Sequence, residues 1–395
     1  MNTQLGTEVI DAFAESREPR MFLSPSRVIA GDQASHRLGS IAAELGWPGG
    51  RILVVVDQAI GELGLAAPAL RSLESSGFSP VQGEAVRAEP STADARAMLA
   101  FARRTGPVAV LGVGGGSAID LAKFVALALA DDSDIADFYG APAARRRAKL
   151  IAIPTTTGTG AEVTRIAMLS EAGRKIIVSS PELVPDLVVL DGAMVARLPS
   201  TVLAATGLDA LCHAVESMLS TNRSALSLAN SLAALKLISK WLPRGYRSPD
   251  DVQARRALLY AAHFAGLGLN AGVVLGHSIG YTIASRTSLA HGVTCAMALP
   301  ACLAYARPVG DRMLQLIAAE TIGRPDPDAL VEWVIELTAG MGVPPSLTAA
   351  GIPASAVAEM ARECIEQYPR ANNPIPLKYE PVRDLYEKLA AGRRN

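Results

Sequence analysis

Asp209 and His213 stand four residues apart in TGLDALCHAVE (206–216), a segment with the apolar spacing of a helix. Side chains four apart leave one helix face about one turn from each other, so a carboxylate and an imidazole placed this way can grip one ion. The chain has five histidines, His36, His213, His263, His277 and His291, and four of them fall between positions 213 and 291. His277 lies in a stretch with glycine at every fourth position, Gly268, Gly272, Gly276 and Gly280, while His291 opens the segment HGVTCAMALP. One carboxylate and three imidazoles make a mixed oxygen and nitrogen set that suits Fe2+ or Zn2+, and donor softness does not choose between the two. Taken singly, any of these histidines also reads as a packed core residue, and His263 keeps that reading.

A second group of residues suits an anion. Gly114, Gly115, Gly116 and Ser117 join the apolar run PVAVLGVGG (107–115) to the helical pattern SAIDLAKFVALALA (117–130). Successive glycines let the backbone approach a ligand, and the free N–H groups of a starting helix favour negative charge, so a pyrophosphate fits. The competing reading is a tight strand-to-helix turn that needs glycine for its own sake. The spacing is not that of the G-x-G-x-x-G fingerprint. Asp57 closes the strand RILVVVD (51–57), where a carboxylate can accept from a ribose hydroxyl and repel a 2′-phosphate, or else cap the next helix. Thr155, Thr156, Thr157, Gly158, Thr159 and Gly160 follow the strand at 149–154 and offer hydroxyls to a cofactor, or form an ordinary loop.

These residues need a scaffold, and the rest of the chain supplies its outline. Of 395 residues, 50% are hydrophobic and 19% charged, against about 25% charged in ordinary soluble domains, which excludes a disordered chain. The length suggests two or three domains, of which two are favoured. With 37 Lys and Arg against 38 Asp and Glu there is no basic run for nucleic acid or an anionic membrane. The four cysteines form no C-x-x-C pair and read as reduced thiols of a cytoplasmic protein. The start, MNTQLGTEVIDAFAESREP, lacks the basic end and apolar run of an export signal. The uncharged stretch 257–285 contains His263, Asn270 and His277 and reads as a buried helix rather than a bilayer span.

From residue 51 to about 192, β-branched runs alternate with helical patterns, including a helix at 91–104 with Ser91 and Thr92 as capping candidates. KLIAIPTT, RKIIVSS and LVPDLVVLD supply further strands, and the rhythm implies a mostly parallel sheet covered by helices. After LPST (198–201) long Ala- and Leu-rich segments predict an all-helical second half. The expected fold is α/β, with a parallel-sheet domain at 1–195 followed by a helical domain at 196–395.

The order Asp57, GGGSAIDLAK (114–123), IPTTTGTGAEVT (153–164), TGLDALCHAVE (206–216), then GHSIGY and AHGV within 276–293, resembles the iron-containing (group III) alcohol dehydrogenase family over most of the chain. The resemblance implies a Rossmann-like N-terminal half, a helical C-terminal half, a cleft between them and a homodimer. It implies one divalent ion on Asp209, His213, His277 and His291, and NAD(H) on the two loops. Gly115, Gly116 and Ser117 would lie at the pyrophosphate with Asp120 nearby, Thr155, Thr156 and Thr159 along the cofactor, and Lys175 near the nicotinamide ribose. Asp57 matches the position that favours NAD over NADP. The implied reaction moves a hydride between the nicotinamide and the carbon of a small alcohol or aldehyde, with the ion as Lewis acid.

One position departs from the family pattern. Many alcohol-oxidising members carry another histidine four residues beyond the first ligand of the glycine-striped helix, and here Tyr281 takes that place as a hydroxyl contact or proton donor. Arg286, within ASRTS (284–288), reads in two ways: a paired donor for an anionic group on the substrate, or an arginine facing solvent or an acidic side chain. A lyase resembling dehydroquinate synthase is the nearest rival, but its metal set is typically three residues with a glutamate. A non-catalytic cofactor-binding protein is the other alternative, disfavoured by the intact ligand set.

Overall fold

The run Ile52–Val56 is buried at every residue, the pattern of a strand covered on both faces. The computed structural model describes residues 18–129, 135–141, 148–172 and 174–392; the first 17 residues, and Ala130 at the end of the helix predicted after the glycine loop, lie outside them. The chain divides into two units, one of Leu23–Leu198 and one that joins the described residues 18–22 to the part from Pro199 onward.

In chain order the first unit contains β1 (Arg27–Ala30), α1 (Leu38–Glu44), β2 (Arg51–Val56), α2 (Gln58–Glu62), α3 (Ala67–Ser75), β3 (Ser79–Gln82), α4 (Thr92–Thr105), β4 (Ala109–Gly114), α5 (Gly116–Ala128), β5 (Lys149–Pro154), β6 (Ile166–Glu171), β7 (Arg174–Ser179) and β8 (Leu187–Leu190). Six strands form one parallel sheet in the order β1-β8-β5-β4-β2-β3. Alternate residues feed opposite cores. Ile52, Val54, Leu111 and Val113 cluster with Leu38, Ala69 and Leu73, whereas Leu53, Val55 and Val110 cluster with Met98, Leu99, Leu121 and Phe124. Ser91 and Asp94 close a reciprocal capping box at the start of α4.

The strand order reverses beside β2. The chain steps outward to β3, then returns to the other side of β2 to lay down β4 and β5, so that Val56 and Val113 end side by side. The carboxyl ends of β2 and β4 therefore form a topological switch point, where ligands bind in open α/β sheets.

Two expectations need correction. RKIIVSS, expected as a further strand of the sheet, is β7 and lies outside that sheet: it pairs with β6 in a separate antiparallel ribbon and bridges to Gly140. Its first two residues, Arg174 and Lys175, are exposed, so it lacks the two covered faces that a central parallel strand requires.

The second unit runs through α6 (Ser200–Leu219), α7 (Ala225–Arg247), α8 (Val252–Gly268), α9 (Leu275–Ala284), α10 (His291–Ile322), α11 (Pro327–Gly340), α12 (Val357–Glu366) and α13 (Tyr379–Ala390), with no strand among its described residues. By length and composition α6 and α10 could cross a membrane, but 89% and 67% of their apolar windows are buried inside the protein. The stretch 257–285, expected as one helix, is two: α8 and α9 meet at a bend of 110°. Gly272 turns the chain there with φ +78. The N–H groups of Val274 and His277, at the start of α9, donate to the Glu216 carboxylate of α6 at 2.8 and 3.2 Å.

Candidate metal centre and cofactor loops

Helix α6 presents Asp209, His213 and Glu216 on one buried face, α9 brings His277 and Tyr281 a turn apart, and α10 opens on His291 with Cys295 one turn further. The Oδ1 atom of Asp209 lies 3.6 Å from His213 Nε2, 3.7 Å from His277 Nε2 and 3.9 Å from His291 Nε2. These separations are too long for hydrogen bonds and near the edge of a coordination tetrahedron, about 3.4 Å for bonds of about 2.1 Å.

Asp209 Oδ1 and His277 Nε2, which face each other in the cluster, are buried without a hydrogen-bond partner; among the described residues only His213 Nδ1 and Arg383 Nε share that condition. A native protein seldom buries such groups without an ion or water to satisfy them. The tautomer of His277 sharpens the point. Its Nδ1 sits 2.6 Å from Glu216 Oε1, and donating that N–H turns the Nε2 lone pair toward the carboxylate oxygen of Asp209. Two lone pairs facing each other repel, and a cation between them, either a metal ion or a proton on Nε2, removes the repulsion.

The charges agree. Burial works to raise the Asp209 carboxyl, but His213, His277 and His291 outweigh it and hold the group well below the usual carboxylate range. Burial draws His213 down to about 4 against the pull of Asp209, so this imidazole is neutral at pH 7. His277 moves the other way: burial is outweighed by Cys295, Glu216 and Asp209, which lift it well above an ordinary imidazole. The cluster has an excess of groups that favour a positive charge in their midst.

The other predicted residues gather at the switch point of the sheet. A Cβ on Gly114 would meet Asp57 Cβ at 2.8 Å; one on Gly115 would meet Thr156 Cγ2 at 3.1 Å, and one on Gly116 would meet Thr159 Cγ2 at 3.2 Å. The Gly and Thr loops thus pack on each other with bare backbone between them, tied by the Thr155 N–H to the Gly114 carbonyl at 3.0 Å. No side chain caps the start of α5, so its first N–H groups are available to an anion.

Asp57 does take the capping role: its Oδ1 accepts from the N–H groups of Ala59 and Ile60 at 3.0 and 3.3 Å. Ser117 and Asp120 each accept a backbone N–H from a neighbouring segment. Ser117 Oγ accepts from the Glu89 N–H at 3.1 Å and Asp120 Oδ2 from the Met168 N–H at 3.1 Å. Burial raises the Asp120 carboxyl to about 6 in spite of Lys123. Lys175 pairs with Glu89 at 2.9 Å. Lys123, overlooked in the sequence, is fully buried and pins the strand after the Thr loop by donating to Thr164 O, Thr164 Oγ1 and Ile166 O at 2.8, 3.0 and 2.8 Å.

Comparison with known proteins fits both halves. The profile described as iron-containing alcohol dehydrogenase matches residues 25–192, and that of the C-terminal part of the Fe-containing alcohol dehydrogenase family matches 203–390. The chain belongs to the iron-containing alcohol dehydrogenase family. It is 34% identical to long-chain-alcohol dehydrogenase 1 of Geobacillus thermodenitrificans, over 86% of this chain and 90% of that one. It is 27% identical to the NAD-dependent methanol dehydrogenase of Bacillus methanolicus, over 72% of this chain and 75% of that one. The crystal structure of the iron-containing alcohol dehydrogenase from Thermococcus thioreducens superposes with a TM-score of 0.87 at 28% identity, covering 95% of this chain and all of the other. The protein is therefore an oxidoreductase of the alcohol dehydrogenase class, and the lyase and non-catalytic alternatives are not favoured.

Four further features of this iron-containing alcohol dehydrogenase bear on the site. Tyr281 stacks on His291 with centroids 5.2 Å apart and planes at 11°, and meets the edge of His277 at 6.2 Å. Burial raises its phenol, which therefore keeps its proton at neutral pH. Cys295, passed over in the sequence, offers its sulfur to a group in which the ligand atoms of Asp209, His277, His291 and Cys295 all lie within 4.8 Å of one another. Arg286 takes the second of its two readings, pairing with acidic side chains: it donates to Glu363 Oε2 at 2.5 Å and Glu359 Oε1 at 3.0 Å. Two carboxylates of α12 already satisfy it. The fourth feature is Glu216, whose signal was available, since it lies seven residues beyond Asp209 and three beyond His213 on the same helix face. Glu216→Gln would aim an amide N–H2 at donors, and we expect metal affinity to fall about 10- to 100-fold in competition with a chelator. Unchanged affinity would show that Glu216 only caps α9.

Proposed function

We propose that this enzyme interconverts a small alcohol and its aldehyde or ketone with NAD(H), and that Asp209, His213, His277 and His291 hold its divalent ion, Fe2+ or Zn2+. The observation that carries the reading is the convergence of three imidazole Nε2 atoms on one orphaned carboxylate oxygen. When bound, the ion supplies Lewis acidity toward the substrate oxygen and the nicotinamide supplies or takes the hydride.

The chain's own residues prepare the site. Asp209 stays ionised and His213 neutral, so both donate lone pairs without first losing a proton. Glu216 fixes the ring of His277. Tyr281, protonated and stacked on the partly exposed ring of His291, is placed to hold or pass the hydroxyl proton. The uncapped start of α5 and the bare backbone of Gly115 and Gly116 suit a pyrophosphate, with Thr155, Thr156 and Thr159 alongside. The Bacillus methanolicus relative is named for its dependence on NAD, and the carboxylate of Asp57 supports the same cofactor here. All four cysteines are buried and unpaired, which supports a reducing, cytoplasmic setting.

The test is NADH oxidation with a panel of short aldehydes, before and after chelation and after reloading with Fe2+ or Zn2+. Chelation should abolish turnover and either ion restore it; a fully loaded protein that reduces no aldehyde and oxidises no alcohol overturns the proposal. Cofactor choice is tested with Asp57→Asn, which keeps the helix cap and removes the charge. The NADH-to-NADPH ratio of kcat/KM should fall roughly tenfold or more, the scale of one hydrogen bond to a charged group. An unchanged ratio would leave Asp57 as a cap alone.

A further inference from the structure

Beside the metal cluster lies an arginine without a counter-ion. The segment 368–373 is fastened to the start of α9 at several points. Ser278, fully buried between His277 and Tyr281 in the sequence, donates its hydroxyl to the Tyr368 carbonyl at 2.6 Å. Asn373 Oδ1 accepts from the Leu275 N–H at 3.1 Å, and the Asn372 amide donates to Val273 O at 3.0 Å and to Ser220 Oγ at 2.9 Å. Anchored in this way, Arg370 donates its Nε to Ser278 Oγ at 3.1 Å and places its guanidinium 5.8 Å from the ring centre of Tyr281. Tyr281 is itself the ring stacked on His291.

Half-buried Arg370 has no carboxylate within ion-pair distance among the described residues, and the one hydrogen bond of its side chain uses Nε. Its two terminal amino groups, the planar fork that matches a carboxylate, are left presented. Arg286 differs in that Glu359 and Glu363 neutralise it. A guanidinium held in place by its inner nitrogen, with its outer face unspent, is preorganised for a bidentate anion.

We infer that the substrate carries an anionic group of the carboxylate class and that the fork of Arg370 receives it, with Tyr281 between this anchor and His291. The inference rests on the alcohol dehydrogenase reading of the same site and names the substrate class within it. The substrate is then a short aldehyde or alcohol with a reacting end at the histidine cluster and a charged end at Arg370. Phosphonate and sulfonate share the chemistry, and matched probes distinguish them.

The experiment compares 4-oxobutanoate with butanal, and phosphonate and sulfonate analogues of matched length, in the metal-loaded enzyme. We expect kcat/KM to favour a charged aldehyde about 10- to 100-fold, the range of one charge-assisted pair, with the preference lying in KM. Arg370→Gln should collapse the charged-to-neutral ratio by the same factor, and Arg370→Lys, which keeps the charge but not the fork, should restore only part of it. Thermal shift offers a readout apart from turnover: 4-hydroxybutanoate should stabilise the wild type more than 1-butanol does, and lose that advantage in Arg370→Gln. A wild type that reduces butanal as well as the charged aldehydes overturns the assignment of Arg370, as does a ratio indifferent to both substitutions. A wild type that reduces none of them overturns the dehydrogenase reading as well.

Discussion

His277→Ala is expected to leave the protein folded but largely free of metal, with kcat/KM for aldehyde reduction lower by about three orders of magnitude or more. Removing one imidazole opens a four-membered donor set and strands Glu216, whose Oε1 now accepts from His277 Nδ1 at 2.6 Å. The Lewis-acid contribution of a bound ion is worth several kcal/mol, and each 1.36 kcal/mol is about a tenfold change in rate. Elemental analysis of the purified variant beside steady-state kinetics checks both halves. Full metal content with wild-type turnover would remove His277 from the ligand set. Metal retained with turnover lost would place its role in the reaction itself.

The second large effect is predicted at a position that holds no chemistry. Gly292 follows His291 at the start of α10, and a Cβ there would lie 2.0 Å from the Ala205 carbonyl oxygen and 2.8 Å from Asp209 Cβ. A backbone oxygen in the middle of α6 cannot rotate away, so Gly292→Ala must push the two helices apart. We expect a destabilisation of about 3 kcal/mol or more, the upper end of what overpacking costs, seen as a lowered melting temperature of the metal-free protein. Because the same shift separates His291 from Asp209, metal content should fall with it. A variant that melts like the wild type and keeps its metal would mean that α6 and α10 do not pack as closely as the structure places them.

The sequence by itself determined what depends on neighbours along the chain. The alternation of β-branched runs and helical patterns produced the parallel sheet, and the four-residue spacing of Asp209 and His213 placed them on one face of α6. Three glycines between a strand and a helix marked the loop at the sheet's switch point. Each of these follows from backbone periodicity or from the space one residue type leaves, which is local information.

What only the tertiary structure decided involves partners far apart in sequence. Glu216 meets His277 61 residues away, Arg286 meets Glu363 77 residues away, and Arg370 meets Ser278 92 residues away. The glycine stripe from Gly268 to Gly280 looked like one helix because its spacing is helical throughout. It breaks because Val274 and His277 give their N–H groups to a carboxylate on α6. RKIIVSS had the composition of a sheet strand, but with its first residues exposed it pairs with β6 outside the parallel sheet. Burial and counter-charge are properties of the packed chain, so the site's ligands were visible in the sequence while the groups that orient them, neutralise them or leave an arginine unpaired beside them were settled by which helices came to lie against one another.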